Sequence, residues 1–415
     1  MSAPFDVERC RALFPALSKR VAGLPAVYLD GPGGSQVPRE VIEAVSRYLA
    51  GSNANSGGVF ATSVETDAML EEAHRAAADL VGTRDPGCIA FGANMTTLTL
   101  SLARALSRTW RPGDEVLVTR LDHDANISPW IQAATDAGAT VRHVAFRPED
   151  CTLDLDDLRA KLSGKTRLVA AGCASNAVGT ISPVGEIVAM AHAAGARVYL
   201  DAVHFAPHAL MDVEAWDCDF LACSAYKFFG PHVGVLYGKR ELLASLPAYK
   251  LRPSPEELPH RWETGTQNHE GIAGTLAAID YLAGLGRAAA GASVGRRAAL
   301  ATAFDSIRDY ELGLSGRLLE RLTALRSVKV YGMTDRGRLD RRTPTFSFTH
   351  ERKTPLEVAK HLAREGIFVW SGNFYALAVT EALGLEPSGL VRVGLLHYNT
   401  AEEIERLGKA LAEID

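Results

Sequence analysis

The run Arg197-Val198-Tyr199-Leu200-Asp201 has the apolar pattern of a buried strand and ends in a carboxylate. A second such run, Phe220–Ser224, leads into Ala225-Tyr226-Lys227-Phe228-Phe229-Gly230-Pro231, which places a lysine just past a strand. Short apolar runs alternate with segments of helical period from about residue 20 to 285. This alternation predicts a mostly parallel sheet covered by helices on both faces. Ligands of such sheets bind at the carboxyl ends of the strands, where Asp201 and Lys227 both lie.

The other predicted elements of this region are four strands and five helices. They are Glu115–Thr119, Val141–Phe146, Arg167–Ala174 and Val233–Tyr237, and Ala68–Leu80, Thr97–Leu106, Ile127–Ala137, Leu155–Leu162 and Gly185–Ala194. Tyr249–His260, rich in proline and charge, is predicted to be a surface loop.

From about residue 290 the pattern changes to one long helix followed by short strands and helices. The predicted elements are Gly295–Arg326, Val328–Tyr331, Thr345–His350, Pro355–Glu365, Gly366–Trp370, Leu390–Gly394 and Thr400–Leu411. We therefore predict an α/β protein with a large domain at 20–288 and a smaller C-terminal α+β domain at 289–415. The N-terminal segment 1–19 is expected to join the two.

Composition narrows the function classes. The chain has 415 residues, 47% of them hydrophobic and 22% charged, with a net charge of −5 and both signs scattered. This balance favours a soluble globular protein and argues against a nucleic-acid or membrane-surface partner. The N-terminus has no signal-peptide pattern and no apolar run spans a bilayer, so a cytoplasmic location is expected. The six cysteines form no C-x-x-C pair, which argues against metal or disulfide frameworks.

A lysine and an aspartate at neighbouring strand ends suit pyridoxal 5'-phosphate. The lysine holds the cofactor aldehyde as a Schiff base, and the aspartate keeps the pyridine nitrogen protonated so that the ring takes up electrons. A surface lysine and a helix-capping aspartate would produce the same pattern, so further residues have to decide.

Further candidate residues lie near the ends of other predicted strands. Phe91-Gly92-Ala93-Asn94-Met95-Thr96-Thr97 opens a helix, and its small residues and hydroxyls suit a phosphate, although Asn and Thr also cap helices without a ligand. His123 is either a flat surface for the cofactor ring or a hydrogen-bonded loop histidine. Asn176 and His204 are candidate donors to the phenolic oxygen. No dinucleotide or P-loop pattern is present.

With these motifs the chain resembles the class V aminotransferase group of fold-type I pyridoxal phosphate enzymes, in particular the cysteine desulfurase-like branch with selenocysteine lyase and isopenicillin N epimerase. The resemblance runs from Val27-Tyr28-Leu29-Asp30 to Tyr398-Asn399-Thr400. It implies a fold-type I architecture with a seven-stranded, mostly parallel sheet, and pyridoxal phosphate as the cofactor.

The resemblance also implies roles for single residues. Lys227 matches the Schiff-base lysine, Asp201 the pyridinium partner, and His123 in Asp122-His123-Asp124-Ala125-Asn126 the ring-stacking histidine of E-H-x-A-N. The resemblance matches Thr96, Asn176, Ser224 and Thr266 to further cofactor contacts, and their positions in the sequence make Asn94, Met95, His204 and Tyr226 additional candidates. It matches Arg392 to the substrate carboxylate clamp, and Asn55, Asn176 and Tyr375 are further candidates for substrate contacts. Thr266 matches a threonine that reaches the phosphate of the partner subunit, which implies a homodimer.

Departures from the family lie on the substrate side. Desulfurases carry a nucleophilic cysteine on a loop that here reads Trp370-Ser371-Gly372-Asn373-Phe374-Tyr375-Ala376-Leu377, and no cysteine lies beyond Cys223. Tyr375 stands near the place of that cysteine, and a phenol forms no persulfide. It either packs the domain interface beside Trp370 and Phe374 or touches the substrate. Other departures are Tyr226 for histidine, His204 for glutamine and Asn55-Ser56 for a His-Arg pair.

The sequence therefore predicts a pyridoxal phosphate enzyme that acts on a small α-amino acid in an aminotransferase- or lyase-type reaction. One alternative is a true cysteine desulfurase or selenocysteine lyase that releases sulfide or selenide without a loop cysteine. Another is an amino-acid epimerase. A non-catalytic, cofactor-binding interaction protein is the alternative from a different class.

Overall fold

The structure, a computed structural model, describes residues 5–21 and 23–414. The chain begins with short elements that lead into two longer helices. These are α1 Val7–Arg11, β1 Arg20–Val21, β2 Leu24–Pro25, β3 Val27–Tyr28, α2 Arg39–Gly51 and α3 Ala61–Val81.

The next part of the chain alternates strands and helices, as predicted. Its elements are β4 Ile89–Gly92, α4 Met95–Ser107, β5 Glu115–Thr119, α5 Ser128–Ala137, β6 Thr140–Val144, β7 Phe146–Arg147, β8 Thr152–Leu153, α6 Leu155–Lys161, β9 Thr166–Gly172, α7 Val184–Ala193, β10 Arg197–Asp201, α8 Val213–Trp216, β11 Phe220–Ser224, β12 Gly234–Gly238, α9 Arg240–Ser245 and α10 His269–Ala290. The predicted bounds of β5, β10 and β11 are those observed.

Seven of these strands form one sheet in the order β4-β12-β11-β10-β9-β5-β6. Only β12 runs against the others, since it pairs antiparallel with both β11 and β4. The prediction of a seven-stranded, mostly parallel sheet is confirmed. Because β10 and β11 are parallel neighbours in the sheet, their carboxyl ends meet at one edge and bring Asp201 close to the loop that carries Lys227.

The C-terminal part holds a smaller, antiparallel sheet in the order β13-β14-β17-β16. Its elements are α11 Arg296–Ala324, β13 Val328–Tyr331, β14 Thr345–His350, α12 Pro355–Arg364, β15 Ile367–Phe368, β16 Trp370–Gly372, α13 Leu377–Ala382, β17 Leu390–Gly394 and α14 Ala401–Ala412. The single strand predicted at Gly366–Trp370 is divided in two, because β15 pairs with β3 whereas β16 pairs with β17.

Buried apolar side chains form layers on both faces of the large sheet. Along β10, Val198 and Leu200 pack into one layer and Tyr199 into the other, as the two-residue period of a strand requires. A third cluster joins Val27 and Leu29 to the strands of the C-terminal sheet. The segment around β3 therefore packs against the C-terminal part of the chain. The division at 288 and 289 stays a prediction.

Tyr249–His260 contains no regular helix or strand and is mostly exposed, as predicted for a surface loop. All six cysteines are buried and free, Cys223 among them on β11. Among the described residues, no helix combines the length and apolar character needed to cross a membrane.

Candidate active site

A cavity of about 1140 Å³ opens between the carboxyl edge of the large sheet and the loop that follows β16. Most of the residues singled out in the sequence line it. They are Asn94, Met95, Thr96, His123, Asn176, Asp201, His204, Ser224, Tyr226, Lys227, Tyr375 and Arg392. Asn55 and Thr266 do not.

Lys227 is held at the end of a single 3-10 turn that follows β11. Its side chain is buried, and Nζ donates a hydrogen bond to the carbonyl oxygen of Pro32. Burial, together with the nearby positive charge of Arg392, lowers the pKa of Lys227 to about 7. A substantial share of this amine is therefore neutral near pH 7, which is the form that acts as nucleophile or base.

Asp201 ends β10 with its carboxylate facing the cavity. Burial raises the pKa of Asp201 to about 6. The backbone N–H of Val203 donates a hydrogen bond to Oδ1 at 2.9 Å, which lowers the pKa and partly offsets the effect of burial. Within the described part of the chain no cationic side chain lies within 4.0 Å of it. A buried carboxylate without a cation is costly, so a cationic N–H in the cavity would stabilise it.

The first turn of α4 forms the opposite end of the cavity. Asn94 caps this helix through Oδ1, which accepts from the Thr97 N–H at 2.9 Å. The Ser224 hydroxyl accepts from the Met95 N–H at 2.9 Å and so joins the helix start to β11. A Cβ on Gly234 would lie 2.5 Å from the Asn94 backbone, so only glycine permits this approach of β12 to the turn.

Arg392 is buried on β17 and has an unusual environment for a cation. Nη1 donates to the backbone oxygen of Asn176 at 2.9 Å, and the Phe374 ring lies 4.2 Å from Cζ. Nε has no hydrogen-bond partner among the described residues, nor does Asn176 Oδ1. Burial lowers the pKa of Arg392, but a guanidinium stays charged in proteins. A carboxylate entering the cavity would compensate this charge.

His123 caps the turn that follows β5 and stacks on the Tyr375 ring, with centroids 5.5 Å apart and planes 19° from parallel. Burial lowers the pKa of His123 to about 4, so the ring is neutral and presents a flat, apolar face. Tyr375 is 74% exposed. It therefore stands at the mouth of the cavity, and the interpretation that it packs in the domain interface is wrong.

His204 and Tyr226 are partly committed to other contacts. His204 Nε2 lies 3.1 Å from the Thr343 hydroxyl and 3.0 Å from that of Thr345, which leaves only Nδ1 for another contact. Tyr226 stacks on His232 with centroids 5.1 Å apart. Burial keeps the pKa of His204 well below its usual range. Their predicted contacts with the cofactor stay predictions.

Asn55 and Thr266 are both exposed and both lie outside the cavity of their own chain. Their segments are neighbours, because His269 Nδ1 lies 3.2 Å from the Ala54 carbonyl oxygen. The two residues therefore share one surface region. The sequence resemblance assigns Thr266 to the cavity of a partner subunit, and this contact stays a prediction.

Three residues at the site, Pro32, Gly33 and Asp122, were not predicted from the sequence. Pro32 supplies the carbonyl that holds Lys227, and a Cβ on the adjacent Gly33 would clash with Trp370 Nε1. Asp122 is a buried carboxyl that accepts from Thr119 Oγ1 at 2.6 Å and from the Gly172 N–H at 3.0 Å. Burial raises the pKa of Asp122 to about 7. A sequence signal was available for Pro32 and Gly33. They lie in the glycine-rich run Gly31-Pro32-Gly33-Gly34, and such a run allows close contacts of the backbone.

These residues fit pyridoxal phosphate. The buried carboxylate of Asp201, which has no cationic partner among the described residues, suits a pyridinium N–H, the start of α4 with Ser224 suits a phosphate, and Lys227 in the same cavity has a depressed pKa. The flat face of His123 suits an aromatic ring. Arg392 and its unpartnered Nε remain for a substrate carboxylate.

The sequence and the fold of the chain are similar to those of known proteins. The family "Aminotransferase class-V" matches residues 27–407. A cysteine desulfurase of Enterobacter sp. (strain 638) is 32% identical, with 99% of this chain and 98% of the relative covered. An aminotransferase-like protein of Gibberella zeae is 34% identical, again with 99% of this chain and 98% of the relative covered. The apo structure of a cysteine desulfurase from Thermococcus onnurineus superposes with a TM-score of 0.86 at 29% identity, covering 100% of this chain and 99% of that one.

Proposed function

The chain belongs to the class-V aminotransferase family of pyridoxal phosphate-dependent enzymes, and from this premise we propose that it converts an α-amino acid in an aminotransferase- or lyase-type reaction. The observation that carries the proposal is the convergence of three buried, charged side chains in one cavity. Lys227, Asp201 and Arg392 lie at its wall, and none of them has an ion-pair partner among the described residues.

Arg392 binds and orients the substrate. Its Nε has no partner among the described residues, and Nη1 is fixed by the Asn176 carbonyl, so the guanidinium is already oriented before a carboxylate arrives. An arginine fork takes a carboxylate in a bidentate manner, which fixes the direction of the remaining substituents at Cα. Asn176 Oδ1, also without a partner among the described residues, can accept a hydrogen bond from a substrate N–H.

Lys227 moves the proton at Cα. Its Nζ is largely buried and its pKa is lowered to about 7, so the neutral amine is available near neutral pH. A base whose pKa lies near the working pH combines a sufficient neutral fraction with a sufficient driving force for proton transfer.

Asp201 supports this step from the end of the neighbouring strand β10. Bound pyridoxal phosphate supplies an electron-accepting ring for the pair left at Cα. The carboxylate of Asp201, whose pKa is raised only to about 6, is mostly ionised above that pH and holds a proton on the ring nitrogen. The flat, neutral ring of His123 would cover one face of the cofactor ring.

The outcome after proton removal depends on the loop after β16. The sequence resemblance puts Tyr375 near the place of the desulfurase cysteine, and all six cysteines of this chain are buried and absent from the described cavity lining. Burial raises the pKa of Cys10 and Cys88 to about 12, which leaves little thiolate. These observations favour a reaction that does not form a persulfide on a cysteine of the protein. Desulfuration to an external thiol acceptor is the second candidate, because relatives are named cysteine desulfurases.

We further propose a homodimer in which Thr266 and Asn55 approach the cavity of the partner subunit. Support comes from the apolar surface next to these residues. Val59 is 99% exposed and Phe60 58% exposed, on the loop that carries Asn55. A second copy of the chain that covers this loop would remove the apolar surface from water.

Product analysis tests the proposed function. The protein loaded with pyridoxal phosphate is incubated with each common L-amino acid, with and without a keto acid, and amino-acid, keto-acid and sulfide products are measured. We expect a keto acid or an eliminated fragment from at least one amino acid, and no turnover by Lys227→Ala. Alanine with sulfide from L-cysteine would instead select the second candidate. Turnover by Lys227→Ala at the wild-type rate would contradict the proposal.

A further inference from the structure

Three aromatic side chains, Trp370, Phe374 and Tyr375, stand at the opening of the cavity, and we call them the aromatic mouth. Trp370 is 53% exposed and Tyr375 74% exposed, although side chains of this size usually bury their rings. Exposed aromatic surface beside a concave site indicates a contact that a ligand completes.

The rings of Trp370 and Phe374 lie next to the groups that would bind the amine and the carboxylate of a substrate. Trp370 rests on Gly33, where a Cβ would clash with the indole nitrogen, and the preceding residue holds the Lys227 amine through its carbonyl. Phe374 lies 4.2 Å from the Arg392 Cζ. A substrate with its amine near Lys227 and its carboxylate on Arg392 therefore projects its side chain among these rings.

The backbone holds the rings there at a conformational cost. Phe374 and Tyr375 have φ angles of 57° and 58°, a left-handed region that bulky residues rarely adopt. Two hydrogen bonds keep them in place, from Asn176 Nδ2 to the Phe374 oxygen at 2.8 Å and from the Asp124 N–H to the Tyr375 oxygen at 2.6 Å. Strained residues of this kind persist where surrounding structure imposes them, typically at functional sites.

The charged side chains that line the cavity are either hydrogen-bonded within the protein or assigned to the cofactor and the substrate carboxylate. Among the described residues that line the cavity, the acidic side chains are Asp122, Asp124 and Asp201 and the basic ones Lys227 and Arg392. Asp124 accepts from the Ser128 hydroxyl at 2.6 Å, and Asp122 is hydrogen-bonded in the protein interior. No charged side chain of the described lining therefore remains for the substrate side chain, whereas the rings of Trp370 and Tyr375 are exposed at the opening.

We propose that the aromatic mouth binds the substrate side chain and that the preferred substrates are α-amino acids with an aromatic side chain. This inference rests on the proposed function and deepens it. It departs from the small amino acid expected from the sequence, because a side chain as short as that of alanine or cysteine covers little of these rings. Burying an aromatic side chain rather than a methyl group gives about tenfold tighter binding or more.

Spectral titration of the pyridoxal phosphate-loaded protein tests the inference. L-phenylalanine, L-tyrosine, L-alanine, L-cysteine, L-aspartate and L-arginine are titrated, and the apparent Kd is read from the cofactor absorbance. We expect the aromatic amino acids to bind about tenfold or more tightly than L-alanine. Trp370→Ala should remove most of this preference, whereas Trp370→Phe should retain it.

A matched control separates a local effect from a general one. Tyr249→Ala removes an aromatic side chain of similar exposure on the surface loop and should leave all affinities unchanged. Equal binding of L-alanine and L-phenylalanine, tightest binding of a charged amino acid, or an aromatic preference that survives Trp370→Ala would each overturn the inference while the proposed function stands. If no amino acid changes the spectrum, the proposed function itself fails.

Discussion

The two sides of the cavity differ in where their residues come from. The cofactor side is built from Asp201, Ser224 and Lys227, which lie at or just past the ends of neighbouring parallel strands in one sheet. The substrate side is built from segments outside that sheet, with Gly33 against Trp370 of β16 and Phe374 against Arg392 of β17. The sequence resemblance assigns family roles to the residues at the strand ends, and its departures, such as Tyr375, lie on the substrate side. The comparison indicates that the reaction type and the choice of substrate are set by separate parts of this protein.

The largest effect is expected on the cofactor side. Asp201→Asn keeps the shape of the side chain but removes the charge that holds the ring nitrogen protonated. We expect kcat to fall about 10²- to 10³-fold, the usual cost of losing one electrostatic contact to the reacting system. The apparent Kd of the amino acid should change little, because Asp201 does not touch the substrate. An unchanged kcat would remove Asp201 from the proposed chemistry.

A smaller effect is expected at the boundary between the two sides. Arg392→Lys keeps the positive charge but loses the bidentate fork. We expect the apparent Kd for L-alanine to rise about thirtyfold, in line with a lost charge-assisted hydrogen bond of about 2 kcal/mol. Ethylamine, which lacks the carboxylate, is the control ligand and should bind wild type and variant alike. Equal loss for both ligands would show that Arg392 acts on the fold and not on the carboxylate.

The depressed pKa of Lys227 predicts the pH dependence of cofactor attachment. Below pH 7 the amine is mostly protonated and does not attack an aldehyde, so attachment to the apoprotein should accelerate as pH rises. With a pKa of about 7, the neutral fraction rises about tenfold between pH 6 and pH 8 and then levels off. Absorbance of the bound cofactor gives the rate. An N-acetylated lysine amide should instead continue to gain rate up to its ordinary pKa of about 10.4. The same continued rise in the protein would show that burial does not depress the pKa of Lys227.

The smallest effect is expected for the Tyr375 hydroxyl. The Tyr375 ring stacks on His123, so its face makes the contact. Tyr375→Phe should therefore change kcat and KM by less than about twofold, since it leaves the stacked aromatic pair intact. Steady-state kinetics with the preferred amino acid provide the measurement. A loss of about tenfold or more in kcat alone would instead assign the hydroxyl a role in proton transfer.

Much of the fold and of the cofactor side was predictable from the sequence. The strands Arg197–Asp201 and Phe220–Ser224 are short apolar runs with clear ends, and the motifs around His123, Asn176 and Lys227 are local in sequence. Parallel pairing then places their ends at one edge of the sheet. Local sequence signals were therefore sufficient for this side of the cavity.

The substrate side and part of the helical layer were not predictable in this way. No local pattern shows that Trp370 rests on Gly33, or that Phe374 and Tyr375 adopt positive φ angles. The helix α10 was not predicted either. Glycines interrupt its sequence and normally argue against a helix, yet a Cβ on Gly286 would overlap the Ala299 oxygen of α11. Close packing of the two helices requires this glycine, and such a requirement is visible only in the tertiary structure.

Proton exchange at Cα tests the central claim most directly, because it precedes every reaction outcome considered. The amino acid with the tightest spectral binding is incubated in D₂O with the loaded protein, and deuterium at Cα is followed by NMR or mass spectrometry. We expect rapid incorporation with wild type and at least about a thousandfold slower incorporation with Lys227→Ala, the scale of losing a positioned base. Lys353→Ala, at an exposed position, should match wild type. Exchange by Lys227→Ala at the wild-type rate would contradict the assignment of Lys227 as the base.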